Sequence, residues 1–372
     1  MSTTLDKIKD LRAKKAELQK GGGEERMKKQ HEKGRLTARE RIAALTDPNT
    51  FQEMHLFTRH RATHFGMDKK TMPAEGVVTG VGTVDGRQVC VASQDFTVSG
   101  GTVGEMHADK ICQIQDMALK TGSPVVIIND SGGARIQESV GALSGYARIF
   151  YRNVLGSGVI PQIAVIAGPC AGGAAYSPAL MDFIIMVKGA ELFITGPQVI
   201  RQVTGEQISG EDLGGAVAQM SKSGNVHFLA ENDEHALQIC KKLLSFLPAN
   251  NLEDPPDYGT GHLDISQVPA LNSVIPDGAT QPYDVKEVIK LIFDNGDFLE
   301  VQELYASNVV IGFARLNGHT VGIVANQPNF MAGVLDVNAS DKIAGFVRFC
   351  NTYNIPLITF VDVPGYMPGV QQ

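Results

Sequence analysis

Two glycine-rich turns hold the residues best suited to chemistry. DSGGAR (residues 130–135) follows the β-branched run SPVVIIN, and GPCAGGAAYSP (168–178) follows QIAVIA. Each is expected at the C-terminal end of a buried strand, with a helix opening just after it. In open α/β sheets, ligands settle at such strand ends. Glycine lets the main chain approach a ligand closely. The first N–H groups of a helix have no carbonyl partner within it. Two such groups aimed at one carbonyl oxygen make an oxyanion hole. A single loop of this kind reads as a tight turn for strand–helix packing. Two on consecutive strand ends favour an anion site. Pro178 is placed in the first turn of its helix, where it costs no hydrogen bond.

Other candidates are weaker. Gly80, Gly82 and Gly86 miss GxGxxG spacing and precede a hairpin strand, so a dinucleotide fold is not indicated. Neither GxxxxGK[ST] nor GxSxG occurs. Cys170 has no His near it in sequence and reads as a small buried side chain rather than a thiolate nucleophile. His107 and Glu105 read as a solvated helical N-terminus. Arg135 could meet a phosphate or pair with Asp130. The chain thus offers an anion site without an obvious general base. An enolate stabilised by backbone, with its base brought by a cofactor, suits that combination.

The elements that must position these turns alternate. GEMHADKICQIQDMALKTG (104–122) is an amphipathic helix closed by Gly122. A strand follows, then a helix over 136–153, a strand over 161–167 and a helix after Ala174. EGVVTGVGTVDGRQVCVASQD (75–95) is a hairpin around Asp85-Gly86, a type I′ signal. Such alternation predicts an α/β fold with a mostly parallel sheet. Residues 162–187 carry one charge, Asp182, and are long enough to span a membrane. Their central Gly and Pro break them into strand, turn and helix.

The 372 residues suggest two or three domains, and a net charge of −7 provides no domain-wide basic field for nucleic acid. The five cysteines have no metal-site spacing and suit a reducing compartment. The N-terminus lacks an apolar signal core, so no secretory leader is read. Residues 1–42 hold thirteen Lys/Arg against seven Asp/Glu. Helices are expected around Ile8, Leu11 and Leu18, over 24–33, and from Thr37. This arm is either a solvated face that docks on a neighbour or a basic ridge that meets phosphates. Residues 248–285 are rich in Pro, Asp, Asn and Gly and read as a linker.

The second half repeats the first at an offset of 232 residues, without a gap over nearly sixty positions. The anchors are Gly80/Gly312, Gly86/Gly318, Lys110/Lys342, Pro124/Pro356, Asp130/Asp362 and Gly133/Gly365. The counterpart of the 168–180 turn would fall beyond Gln372. The second copy is therefore expected to be incomplete.

QDFTVSGGTVGEMHADKI, INDSGGARIQE, IAGPCAGGAAYSPAL, FITGPQVIRQVTGE and FVDVPGYMPGVQQ closely resemble carboxyltransferase subunits of biotin-dependent acyl-CoA carboxylases, transcarboxylases and decarboxylases. The similarity covers essentially the whole chain. It implies tandem crotonase-like domains: an arm (1–45), an acyl-CoA domain (46–247), the linker (248–285) and a partial carboxybiotin domain (286–372). It implies that the N–H groups of Gly172 and Gly173 hold the thioester enolate. Ser131, Gly132, Gly133, Ala134, Arg135, Ala171 and Ala174 would line the acyl-CoA side. Pro364, Gly365 and Tyr366 would face carboxybiotin. No metal is implied. The chain lacks a biotinylation site and an ATP loop, so the implied partners are a biotin carboxyl carrier protein and either biotin carboxylase or membrane decarboxylase subunits. A homo-oligomer, a hexamer in this family, is implied in the cytoplasm or peripheral to a membrane complex. The substrate would be propionyl-CoA or methylmalonyl-CoA. With the second copy incomplete, the resemblance implies that the chain alone transfers no carboxyl group, and a non-catalytic acyl-CoA-binding or assembly subunit is the alternative. A crotonase-type hydratase would need a carboxylate at the thioester, for which Glu138 is the nearest candidate.

Overall fold

The computed structural model describes residues 3–259, 268–278 and 281–372. The arm forms α1 (Thr4–Gln19), α2 (Glu24–His31) and α3 (Ala38–Leu45). Thr3 and Thr37 start α1 and α3 with capping boxes closed by Asp6 and Glu40, each satisfying N–H groups a helix leaves orphaned. α1 buries none of its residues, while α3 buries Ala38, Arg41, Ile42 and Leu45.

Next come β1 (Gln52–Met54), β2 (Val77–Val84), β3 (Arg87–Gln94), α4 (Glu105–Thr121), β4 (Val125–Ser131), α5 (Val140–Gly156), β5 (Gln162–Ala171), α6 (Gly173–Ala179), β6 (Phe183–Val187) and β7 (Glu191–Phe193). Three short helices, α7 (Pro197–Thr204), α8 (Gly210–Gly214) and α9 (Ala216–Ala218), precede β8 (Phe228–Ala230) and α10 (Asp233–Phe246). The sheet order is β1-β2-β3-β4-β5-β6-β8, with β7 pairing with β5. β1, β2 and β3 run antiparallel, and β3 through β6 run parallel. Every residue of β4 and β6 is buried, as expected for parallel strands covered on both faces. Each buried Val or Ile there contributes about 1.5–3 kcal/mol. The Asp85-Gly86 turn has φ of 51° and 75°, the type I′ geometry the sequence called for.

The remaining elements are α11 (Val285–Ile292), β9 (Phe298–Val301), β10 (Val309–Leu316), β11 (His319–Asn326), α12 (Val337–Thr352) and β12 (Leu357–Phe360), with sheet order β12-β11-β10-β9. β10, β11, α12 and β12 begin 232 residues after β2, β3, α4 and β4. Side chains repeat too. The Asp130 N–H donates to Gln94 Oε1 (3.1 Å), and the Asp362 N–H donates to Asn326 Oδ1 (3.2 Å). The chain divides into two compact units, Met1–Ala218 with Leu229–Lys241 and Gln219–Phe228 with Lys242–Gln372. All five cysteines are buried and free.

Four local expectations are corrected. α5 starts at Val140 rather than 136, because 136–138 form a 3₁₀ turn and Ser139 has φ 45°. β5 runs on to Ala171, because Pro169–Ala171 pair with β7. Pro178 lies near the end of α6, not in its first turn. It cannot donate to Ala174, and the helix stops one residue later. Within the expected linker, Pro269–Asn272 form a 3₁₀ turn; residues 260–267 and 279–280 lie outside the described residues. No helix among the described residues is long and apolar enough to cross a membrane.

Candidate active site

The two turns meet. Ser131 pairs with Cys170 at the ends of β4 and β5, and a Cβ on Gly133 would lie 2.9 Å from the Ala171 carbonyl. Beneath them sits a buried charge triad. Arg41 Nη1 bonds Asp130 Oδ2 (2.8 Å) and its Nε bonds Asp233 Oδ2 (2.7 Å), all three at most 2% exposed. Gln30 Nε2 adds a 3.3 Å bond to Asp130. Burial pushes the Asp130 carboxyl up and Arg41 opposes it. Asp130 thereby anchors α2 and α3 to the strand floor. Breaking such a buried network is costly.

Most N–H groups of the turns are spent internally. Gly132 donates to Gly100 O (3.0 Å), Gly133 to Ser131 Oγ (3.1 Å) and Arg135 to Val103 O (2.9 Å). The half-buried Ala134 N–H has no acceptor among the described residues. In the second turn, Gly172 N–H donates to Phe193 O on β7 (3.1 Å). This corrects the expectation that Gly172 offers a free donor. Its role is conformational: φ 59° and ψ −124° form a combination costly for any residue with a Cβ, and it swings the chain from β5 into α6. Gly173 and Ala174 are the first two residues of α6, so their N–H groups lack intrahelical partners.

Arg135 does not pair with Asp130. Its guanidinium, 1% exposed, turns inward to Glu75 and Glu138 (2.6 Å to Glu138 Oε1) and donates to Thr102 O (2.9 Å). Charge pairing of this kind needs several partners to offset burial. The other oxygen of Glu138 accepts the Glu105 N–H that opens α4 (2.8 Å). Both Glu138 oxygens are thus engaged. His107 is buried rather than solvated, with Nδ1 2.9 Å from Glu75 O. Burial, reinforced by Arg135, holds the imidazole well below its ordinary value, so it stays neutral. Cys170 is fully buried, and burial raises its thiol, so it presents no thiolate.

The Asp362 turn repeats the backbone pattern. Leu335 N–H donates to Gly365 O (3.1 Å) and Met367 N–H to Leu335 O (2.8 Å), as Val103 and Arg135 do in the first copy. Here the aspartate accepts from Tyr283 Oη (2.8 Å) instead of an arginine. Pro364 and Tyr366 are exposed.

Sequence reasoning named Ala134 as a wall residue but not its unspent N–H, and it missed Glu75 and Phe193. Their roles depend on contacts with residues distant in the chain, which no local motif marks. It also missed a cleft of about 320 Å³ between Arg26, Lys29 and Lys33 on one side and Phe96, Ser99 and Gly100 on the other. Gly100 accepts the Gly132 N–H, so the cleft adjoins the first turn. No cluster of three or more His, Cys, Asp or Glu able to hold a metal occurs among the described residues.

A duplicated α/β scaffold with donor turns at its strand ends defines the class. Residues 29–372 match the carboxyl transferase domain family, and the chain belongs to it. It is 56% identical to methylmalonyl-CoA decarboxylase subunit alpha of Veillonella parvula, covering 100% of this chain and 73% of that one. It is 52% identical to the propionyl-CoA carboxylase beta chain of Saccharopolyspora erythraea, covering 100% and 69%. A transcarboxylase 12S crystal structure, described as a hexamer assembly with hydrolysed methylmalonyl-CoA bound, matches with TM-score 0.98 and 55% identity over 100% of this chain and 72% of that one.

Proposed function

We propose that this biotin-dependent carboxyltransferase acts on the propionyl-CoA/methylmalonyl-CoA pair, with Ala134 and Gly173 as the donors that hold the thioester oxygen. The observation that carries the reading is the donor set. Two unspent backbone N–H groups flank the junction of the turns, while Glu138, the carboxylate that a hydratase would need, is fully engaged. Such a site stabilises an oxyanion but takes no proton. That fits a reaction whose base arrives with the other substrate. Carboxybiotin, bound on a carrier protein, supplies the carboxyl carbon and then a ureido nitrogen as base. Each backbone donor is worth about 3 kcal/mol when aimed at developing charge.

Ser131, Gly132, Gly133, Ala171 and Ala174 form the wall of the acyl-CoA side. Arg135 acts from behind it, holding the turn to Glu75 and Glu138. Arg26, Lys29 and Lys33 suit the phosphates of CoA by charge, which favours the phosphate-meeting reading of the arm. Pro364, Gly365 and Tyr366 are assigned to the carboxybiotin side. Both units are read as crotonase-like, with 46–247 serving acyl-CoA and 286–372 carboxybiotin. Val140, Leu143, Tyr151 and Val154 form an apolar face on α5, each more than 60% exposed. An exposed face of this kind suits burial against a second copy, as in a hexamer. A biotin carboxyl carrier and a biotin carboxylase or decarboxylase complex complete the cytoplasmic system.

The test mixes the chain with methylmalonyl-CoA, labelled in its free carboxylate, and free biotin. Label should move to biotin, leaving propionyl-CoA, and only when biotin is present, in place of the inactivity expected from an incomplete second copy. Binding of acyl-CoA without any biotin-dependent transfer would overturn the reading.

A further inference from the structure

Gly172 and Gly173 are glycines for different reasons. Gly172 needs its φ and ψ. Gly173 lies outside the left-handed region, yet a Cβ there would meet the Tyr146 ring at 3.1 Å. Tyr146 comes from α5 and is 5% exposed. Its buried hydroxyl completes no hydrogen bond of ordinary geometry among the described residues, and Ser131 is the side chain within its reach. Ser131 pairs with Cys170 where both turns spring; burial keeps the Tyr146 hydroxyl protonated, hence a donor. Ser131 Oγ in turn accepts the Gly133 N–H (3.1 Å). Further along the same helix, Asn153 Oδ1 accepts from Ser177 of α6 (2.9 Å), so α5 holds α6 at both ends.

A buried hydroxyl without a partner destabilises a fold relative to the same ring without it. Such a group at the junction of two donor turns calls for a role. We propose that Tyr146 is a positioning residue for the thioester oxygen. Its ring sets the Gly173 N–H, and its buried hydroxyl, directed at Ser131, steadies that residue and, through it, the turn that presents Ala134. This rests on the oxyanion-holding reading above.

The experiment compares two probes: propionyl-CoA, and a CoA analogue whose nitronate mimics the enolate. The wild-type chain should bind the nitronate at least tenfold more tightly. Tyr146→Phe should narrow that preference about tenfold, leave propionyl-CoA affinity within twofold, and melt no earlier than wild type. An unchanged preference, or equal losses for both probes, overturns the proposal. No preference in the wild type overturns the oxyanion reading itself, and this proposal with it. Gly173→Ala should weaken nitronate binding more when Tyr146 is present than in a Tyr146→Leu background. Equal losses would show that the ring does not set Gly173.

Discussion

Lys110 and Lys342, 232 residues apart, bury their ammonium groups against equivalent carbonyls: Ala74 and Val77 in the first copy, Ala306 and Val309 in the second. Lys342 adds the carbonyls of Gln302 (3.0 Å) and Tyr305 (2.7 Å). Ala74 and Ala306 both have positive φ, 49° and 43°. The lysine closes a left-handed turn leading into β2 or β10, where Ala74 O and Ala306 O each accept both the ammonium and the N–H of Val77 or Val309. Burial pulls the ammonium down to about 7 in Lys110 and about 8 in Lys342. Lys342→Met would take a charged donor from four carbonyls at once, those of Gln302, Tyr305, Ala306 and Val309, at a cost of about 3 kcal/mol. Urea titration should show the midpoint falling; an unchanged midpoint would show that the turn holds without its plug.

His107 makes the fold acid-sensitive. Burial, then Arg135 and Lys110, hold its imidazole below the ordinary 6.5, so the folded chain keeps it neutral. Below about pH 6.5 the unfolded chain takes a proton that the folded chain does not. More protons bound in the unfolded state means stability that falls as pH falls. Thermal melts at pH 7 and pH 5 should show a larger drop for wild type than for His107→Gln. Equal drops would place the acid sensitivity elsewhere.

Gly172→Ala should cost about 1–3 kcal/mol of stability through backbone strain. It should also misdirect the start of α6, lowering carboxyl transfer at least a hundredfold. Steady-state rates alongside melting curves separate the two effects. Full activity in a stable variant would mean that the φ of 59° is not required.

Glu138→Gln tests the hydratase reading. With both oxygens engaged by Arg135 and the Glu105 N–H, the wild-type chain should not hydrate an enoyl-CoA. The variant should lose stability by about 1–3 kcal/mol, the range for a disturbed buried charge-assisted bond. Hydration by wild type that disappears in the variant would reverse this assignment.

Charge reversal at Lys29 and Lys33 tests the cleft. Lys29 pairs with Glu25 at 2.8 Å, but exposed pairs of this kind are weak, so it remains available to an anion. The double reversal should raise KM for propionyl-CoA about tenfold, more at low salt, and leave the propionyl-pantetheine thioester unaffected. Equal losses on both substrates would remove the cleft from CoA binding.

What the sequence made legible was local or periodic. The Asp85-Gly86 turn, the Thr37 cap and the 232-residue repeat all follow from residues near one another or from register. The same repeat marked Lys110 and Lys342 as anchors, but not what they anchor. Arg135 finds Glu75, sixty residues away, because the turn folds back under α4. Gly172 is occupied because β7, a three-residue strand with little pattern of its own, comes to lie beside β5. Ser139 gave no hint of its positive φ, so the start of α5 was placed too early. Donor positions were therefore readable to the turn, but not to the atom.

The five buried cysteines make the molecule its own opening sensor. Burial pushes Cys90 and Cys112 up to about 11, and Cys240 and Cys350 up to about 12. A thiol in that state reacts with an alkylating reagent only when its surroundings part. Cys90, Cys112 and Cys170 report on one unit and Cys350 on the other. Their separate labelling rates would time the breathing of each unit without any engineered probe.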